Sequence, residues 1–262
     1  MGNNGTKHIE KSTHVSEMPP AYVATQCDSA ERAKYAGLAR RYQSVEDWQS
    51  ASQVWATLAL IDSSHSADHY EQAAQCCLYG KQLPEYRQYL ERAVAAAEET
   101  HLIMKAAIIS GQLANDNDLD NESRLKWYKR AIIGYRSGGS IHDVFLMSIK
   151  AADLMVTMGD LVTAAQYYDD ALYLQAHSRY SIEIPVIAKL YMVHMILGDL
   201  RAARKAISDY AIDGYYYSLS ELQKLENGEL PSFVYADPIN KALVNMFKGK
   251  HALESPTGKG NI

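Results

Sequence analysis

Asp116, Asp118 and Asp120 stand at the first, third and fifth positions of a stretch where hard oxygen donors could gather round a calcium ion. A calcium loop also needs a glycine at its sixth position for the sharp turn and a bidentate Glu at its twelfth. Those positions hold Asn121 and Trp127, so the stretch reads as a solvated loop between helices. His65 and His69 are four residues apart, the spacing that lets two imidazoles share a zinc ion from one helix face. They lie in the segment from Ser63 to His69, at a helix start with no third ligand in the pattern, and read as surface histidines. Cys76 and Cys77 are adjacent, without the two-residue gap that lets two thiolates chelate one metal, and read as buried helical positions. Neither a metal nor a cofactor is expected.

Other chemistry is sparse. Gly258-Lys259-Gly260 sits near the C-terminus with no strand before it, so it is no phosphate loop. There is no nucleophile elbow and no zinc-protease pattern. Without a titratable cluster at catalytic spacing, neither an enzymatic activity nor a small-molecule substrate is expected. A formal charge of −5 disfavours nucleic acid, which needs a basic surface. The 19 tyrosines suggest a stacking platform for single strands, but Tyr86, Tyr128, Tyr168 and Tyr210 fall at helix-packing positions. Tyr215, Tyr216 and Tyr217 have no periodic explanation and are a candidate contact surface. One motif is specific: Met1-Gly2-Asn3-Asn4-Gly5-Thr6 fits N-myristoylation with Gly2 as acceptor, followed by Lys7 and Lys11. A single such chain holds a protein on a membrane only marginally, so a second signal would be needed.

The elements carrying these residues are helical and repeated. Ala39 precedes a break at residues 44–47, and Ala51, Trp55 and Leu58 follow it at helical spacing. The same arrangement returns with Ala74, a break at residues 80–83, then Tyr86, Leu90 and Ala93, with Pro84 suited to a first helical turn. A third unit has Ala107, a polar run over residues 115–123, then Tyr128 and Ala131. The fourth has Ala152, Gly159-Asp160, then Ala164, Tyr168 and Ala171; the fifth has Tyr191, Gly198-Asp199, then Ala203, Ile207 and Tyr210. Antiparallel helices approach closely only where small residues face each other, which explains the alanines. Ala51, Tyr86, Ala164 and Ala203 lie 35, 78 and 39 residues apart, the middle interval spanning two units. The repeat is therefore somewhat longer than the ~34 residues of a tetratricopeptide unit. The expected fold is all-α: a right-handed solenoid of about five antiparallel helix pairs, tetratricopeptide-like, with an extended concave surface. A helix over residues 218–227 and another opening at Asp237-Pro238 form a C-terminal segment, the second of them capping the open end or binding a partner.

The expected organisation is a flexible tail over residues 1–24, the repeat domain over 25–250 and a second tail over 251–262. Hydrophobic residues make up 47% of the chain and charged residues 22%, enough for a sizeable core. Three cysteines, two of them adjacent, make a poor disulfide framework and fit a reducing compartment. No apolar run reaches the ~18 residues of a membrane span, and the N-terminal region lacks a secretory core. A cytoplasmic protein, peripheral on membranes at most, is expected.

Three stretches carry a resemblance: Tyr35 to Tyr42 leading into Asp47-Trp48 and Ala51; the long third loop before Trp127-Tyr128 and Ala131; and Ser178-Arg179-Tyr180-Ser181 before the fifth pair. With them, residues of about 30 to 230 resemble the SNAP family, attachment proteins that couple SNARE complexes to their disassembling AAA ATPase. The resemblance implies a non-catalytic adaptor in vesicle fusion and intracellular transport, laying a basic face against the acidic SNARE bundle. Matched by position, Lys105, Lys150, Arg179 and Lys189 would form that face. The chain departs from the family in its polar N-terminal tail and in ending at Lys259-Gly260-Asn261-Ile262 instead of an acidic stretch with a near-terminal Leu. That puts ATPase stimulation in question. The alternative is a tetratricopeptide-like scaffold or chaperone adaptor for an unrelated protein or peptide.

Overall fold

The computed structural model describes residues 28–177, 184–210 and 237–254, and among them the chain is all helix. The helices are α1 (Ser29–Ser44), α2 (Trp48–Ile61), α3 (Ser66–Tyr79), α4 (Leu83–Glu99), α5 (Ile103–Ala114), α6 (Asn121–Ser137), α7 (Ile141–Met158), α8 (Leu161–Ala176), α9 (Ile184–Leu197), α10 (Leu200–Tyr210) and α11 (Pro238–Glu254). None is long and apolar enough to cross a membrane. The proposed helix over residues 218–227 and Tyr215 to Tyr217 lie outside the described residues.

Local chemistry sets where the helices begin. The carboxylates of Asp28, Asp47, Asp120, Asp160 and Asp199 accept from the amides of Glu31, Ser50, Ser123, Thr163 and Ala202 at 2.7–3.1 Å. Each satisfies an amide that the first helical turn leaves without a partner. Pro84 occupies the first turn of α4, where its missing N–H costs nothing. Four of the five turns within pairs use one left-handed residue, the longer α5–α6 turn none. Gly159 and Gly198 supply it at φ +82 and +83, whereas Glu46 and Lys81 hold the equivalent place at φ 58 and 57 despite their side chains.

Each helix packs on its sequence neighbours, α1 on α2, α2 on α3 and so on to α10, the order expected of stacked antiparallel pairs. The alanines that mark the repeats are the crossing points. Ala39, Ala51, Ala74, Ala93, Ala107, Ala131, Ala152, Ala164, Ala171 and Ala203 are each at most 1% exposed. Larger side chains fill the spaces beside them, Leu58, Leu90, Tyr128, Tyr168 and Tyr191 among them, all nearly or fully buried. Cys76 and Cys77 are buried and free, as read from the sequence, and burial pushes both thiols up. Odd-numbered helices lie side by side in one layer and even-numbered ones in another, as the cross-repeat contacts below show. α11 lies on the odd layer, against α9 and α7, with Leu243 fully buried and Val244 nearly so in the core that α7 to α10 share. The C-terminal helix thus covers part of the odd-layer face at the C-terminal end of the stack.

Close approach at the crossings makes one substitution act with opposite signs at two sites. A Cβ on Gly134 of α6 would sit 2.7 Å from the Ala107 Cβ of α5, whereas one on Gly37 of α1 meets nothing within 4 Å. Gly37→Ala should raise stability by up to about 1 kcal/mol through helix propensity. Gly134→Ala should lower it by about 1–3 kcal/mol, because the helices must move apart. Paired thermal melts of the two variants check this.

Candidate interaction site

Three of the four cations assigned to a docking face are among the described residues, and the structure brings them into one layer. Lys105, Lys150 and Lys189 stand on α5, α7 and α9, and each reaches back to the preceding odd helix. Lys105 pairs with Asp68 and Glu71 on α3, the latter at 2.6 Å. Lys150 Nζ donates to Asn115 Oδ1, just past the end of α5, at 3.0 Å. Lys189 Nζ donates to both oxygens of Asp153 on α7, at 3.0 and 3.1 Å. The partners lie 37, 35 and 36 residues earlier, one repeat back. Arg179 and Gly2 lie outside the described residues.

Sharing a layer does not make these lysines alike. Lys105 is ringed by two carboxylates; burial opposes its charge, but the bonds to Asp68 and Glu71 outweigh that and raise its pKa. Lys189, expected on a docking face, is instead 4% exposed and sits inside the protein. Its ammonium is held between Asp153 and Asp237 Oδ2, the latter at 2.8 Å. Asp237 also accepts from the Ile239 amide at 2.7 Å, so one carboxylate both caps α11 and fastens it to α9. Tyr168 of α8, fully buried, donates its hydroxyl to Asp153. Burial pushes the Asp153 carboxyl up despite Lys189, and pushes the Tyr168 phenol well above its ordinary value. Burial also pushes Asp237 up, but the bonds from Lys189 and Ile239 overcome it and leave the carboxyl low. Nothing in the spacing of Lys189 distinguished it from a surface lysine; the approach of α11 is what buries it.

Lys150 alone of the three is exposed, at the mouth of a cleft of about 360 Å³ between α6, α7 and the first turn of α11. Asn115, Arg124, Tyr128, Lys150, Asp153 and Ile239 line it, with Leu154, Thr157 and Pro238. Arg124 Nε donates to the Ala114 carbonyl at 3.1 Å, and the Tyr128 hydroxyl donates to Asn115 Oδ1 at 3.1 Å. Arg124, Asn115 and Tyr128 carried no site signal in the sequence, since a polar loop and a packing tyrosine are ordinary surroundings for an inter-helix turn.

The other sequence candidates have structural employment. Asp116 and Asp118 are drawn to Arg87, at 2.6 and 2.9 Å, and Asp120 caps α6. His65 and His69 converge on the buried Asp62 at the end of α2, 3.3 and 3.0 Å from its Oδ2, and Arg32 of α1 closes the group at 2.7 Å. His65 is exposed, as the sequence reading has it, whereas His69 is mostly covered and stacks on Trp55. Burial pushes Asp62 up, but hydrogen bonds from His69, Ser64 and His65 and the charge of Arg32 outweigh it and hold the carboxyl below its ordinary range. This cluster ties α1, α2 and α3 together, and its Ser64 also lines a separate cleft of about 720 Å³ between α2, α3 and α4.

No protein-family model and no curated protein matches the chain. Among solved structures, BtubC (BKLC) from P. vanneervenii is similar over 78% of this chain and 84% of that one, at 16% identity and TM-score 0.45. A Rap protein complexed with Competence and Sporulation Factor is similar over 85% of this chain, at 14% identity and TM-score 0.37. The match spans 64% of that Rap chain. The fold assignment rests on the helix order and packing described above.

Two expectations follow from the charge clusters. Lys189→Met leaves the partly buried Asp153 and Asp237 carboxylates side by side without their cation and should cost about 1–3 kcal/mol; hydrogen exchange should rise first in α11. Because the folded Asp62 carboxyl is depressed below 3.8, its stabilisation is complete at neutral pH and is lost as pH falls through the folded value. Asp62→Asn should therefore destabilise at pH 7 by about 1–3 kcal/mol. Its deficit against wild type should shrink toward pH 3, as urea unfolding across that range would show.

Proposed function

We propose that this chain is a non-catalytic scaffold that binds a segment of another protein along its odd-helix layer. The observation that carries this reading is the accessible strip on that layer. Ile108 and Gln112 on α5 and Asn115 just past its end recur at helical spacing and stay exposed, Ile108 at 45%. Lys150 and Thr157 continue the strip on α7 toward the cleft. An apolar residue among hydrogen-bonding groups and one cation suits an extended segment bound by side-chain contacts along a stacked-helix face.

A finer reading makes the chain a cytoplasmic adaptor, peripheral on membranes, that lays this layer on a SNARE bundle and recruits an AAA ATPase. Placement of Lys105, Lys150 and Lys189 on one layer favours it. Against it, Lys105 and Lys189 already have carboxylate partners, so Lys150 contributes most of the open charge on the strip. The broader scaffold reading therefore fits the side-chain geometry better.

A photo-crosslinking residue at Gln112 probes the strip, and one at Ile133, exposed on the opposite side of the even layer, is the control. Purified SNARE bundle should crosslink at Gln112, more at low salt than at moderate salt and less with Lys150→Glu, if the adaptor reading holds. Cell-extract proteins crosslinking at Gln112 in preference to Ile133, with no bundle adduct, would keep the scaffold and discard SNAREs. Equal labelling at the two positions would overturn the scaffold reading.

A further inference from the structure

We infer that the cleft between α6, α7 and the first turn of α11 is a carboxylate-recognition site, taking an acidic segment of a partner protein between Lys150 and Arg124. The inference rests on the scaffold reading and names the chemistry of its ligand. The observation behind it is a difference in how cations are partnered. Lys105, Lys189, Arg32, Arg87 and Arg130 each face a carboxylate from another helix or loop. Among the described residues, Lys150 and Arg124 make no such ion pair. Their partners are neutral acceptors, the Asn115 side-chain oxygen at 3.0 Å for Lys150, and the Ala114 carbonyl at 3.1 Å and the Tyr128 hydroxyl for Arg124. Both line the same cleft.

The acids nearest these two cations are engaged elsewhere. Asp153 lines the cleft, but its charge is met by Lys189 and it also takes the Tyr168 hydroxyl. Asp116, whose carboxyl Arg124 helps to hold low, is bound by Arg87 at 2.6 Å. Removing Lys189 would bare the Asp153 charge inside the cleft, so the buried lysine keeps the site receptive to an anion. Asn115 fixes the geometry: its oxygen accepts from both Lys150 and the Tyr128 hydroxyl, while its Nδ2 donates to the Gly111 carbonyl at 2.7 Å. An incoming carboxylate accepts charge-assisted hydrogen bonds from the ammonium and the guanidinium together, which are stronger than the neutral bonds they now make. Leu154 and Ile239 offer an apolar wall for a neighbouring aliphatic group. At about 360 Å³ the space suits one or two side chains of a peptide. Tyr128, the aromatic lining residue, is only 2% exposed and so offers no open ring for stacking, which favours a peptide over a nucleic acid.

Fluorescence polarisation of the full chain tests this with three short labelled peptides. One carries internal Glu residues and an amidated C-terminus, one has a free C-terminal carboxylate and no Glu, and one carries Gln with an amidated C-terminus. Binding of either acidic peptide but not the Gln peptide, weakened about tenfold or more by Lys150→Ala or Arg124→Ala, is the expected result. Lys150→Arg should retain it, and Lys129→Ala, on the exposed side of α6, should leave it unchanged. Which acidic peptide binds distinguishes a side-chain carboxylate from a chain terminus. Lys150 is exposed, so its variants should melt like wild type and report on binding alone. Absence of binding by both acidic peptides at low salt, or binding indifferent to Lys150→Ala, overturns the proposal. In that event selective crosslinking at Gln112 would leave the scaffold standing with a different ligand, and its loss would remove both.

Discussion

Helix crossings at buried alanines are the constraint on which everything else here depends. A single amphipathic helix of 11 to 18 residues, the range from α10 to α7 among the described residues, is marginal in water by itself. It gains stability by burying a face against neighbours, and in this chain the neighbours can come close only because Ala39, Ala51, Ala107, Ala152, Ala164 and Ala203 leave room. Close approach at those points brings odd helices side by side, one repeat apart. The charged side chains that cross between them, from Lys105 to Asp68 and from Lys189 to Asp153, are a consequence of that register.

The same register separates structural charge from available charge. A lysine that reaches back to a carboxylate contributes to holding repeats in place and has little left to offer a partner. One that reaches back to an amide keeps its charge. Lys150 meets Asn115 at a position where Lys105 and Lys189 meet aspartates or a glutamate, and this difference in the partner decides which cation is open. The layer therefore combines two kinds of rung, and the neutral-acceptor rung presents its cation to the cleft.

The C-terminal helix adds a second level of organisation. Asp237 caps α11 and binds Lys189 with the same carboxylate, so starting the helix and docking it are coupled. Through Asp153, the docking contact also touches the wall of the cleft, to which α11 itself contributes Pro238 and Ile239. A chain lacking this helix would lose one side of the candidate site.

Much of the fold was legible in the sequence because it depends on short-range periodicity. Alanine spacing, Gly159 and Gly198 in the turns, and aspartates before the helices mark units and boundaries without reference to distant residues. Glu46 and Lys81 escaped notice because their left-handed turns use residues that normally avoid that conformation. The site was less legible. Lys150 could be singled out from the sequence, but Lys189 looked the same, and Arg124, Asn115 and Tyr128 not at all like site residues. Whether a lysine is a free cation or a buried tie depends on which carboxylates arrive from a helix one repeat away, and on the return of α11 to cover α7 and α9. Sequence determined the helices and their repeat; long-range packing alone decided which charges remained open, because desolvation and pairing are properties of the assembled layer.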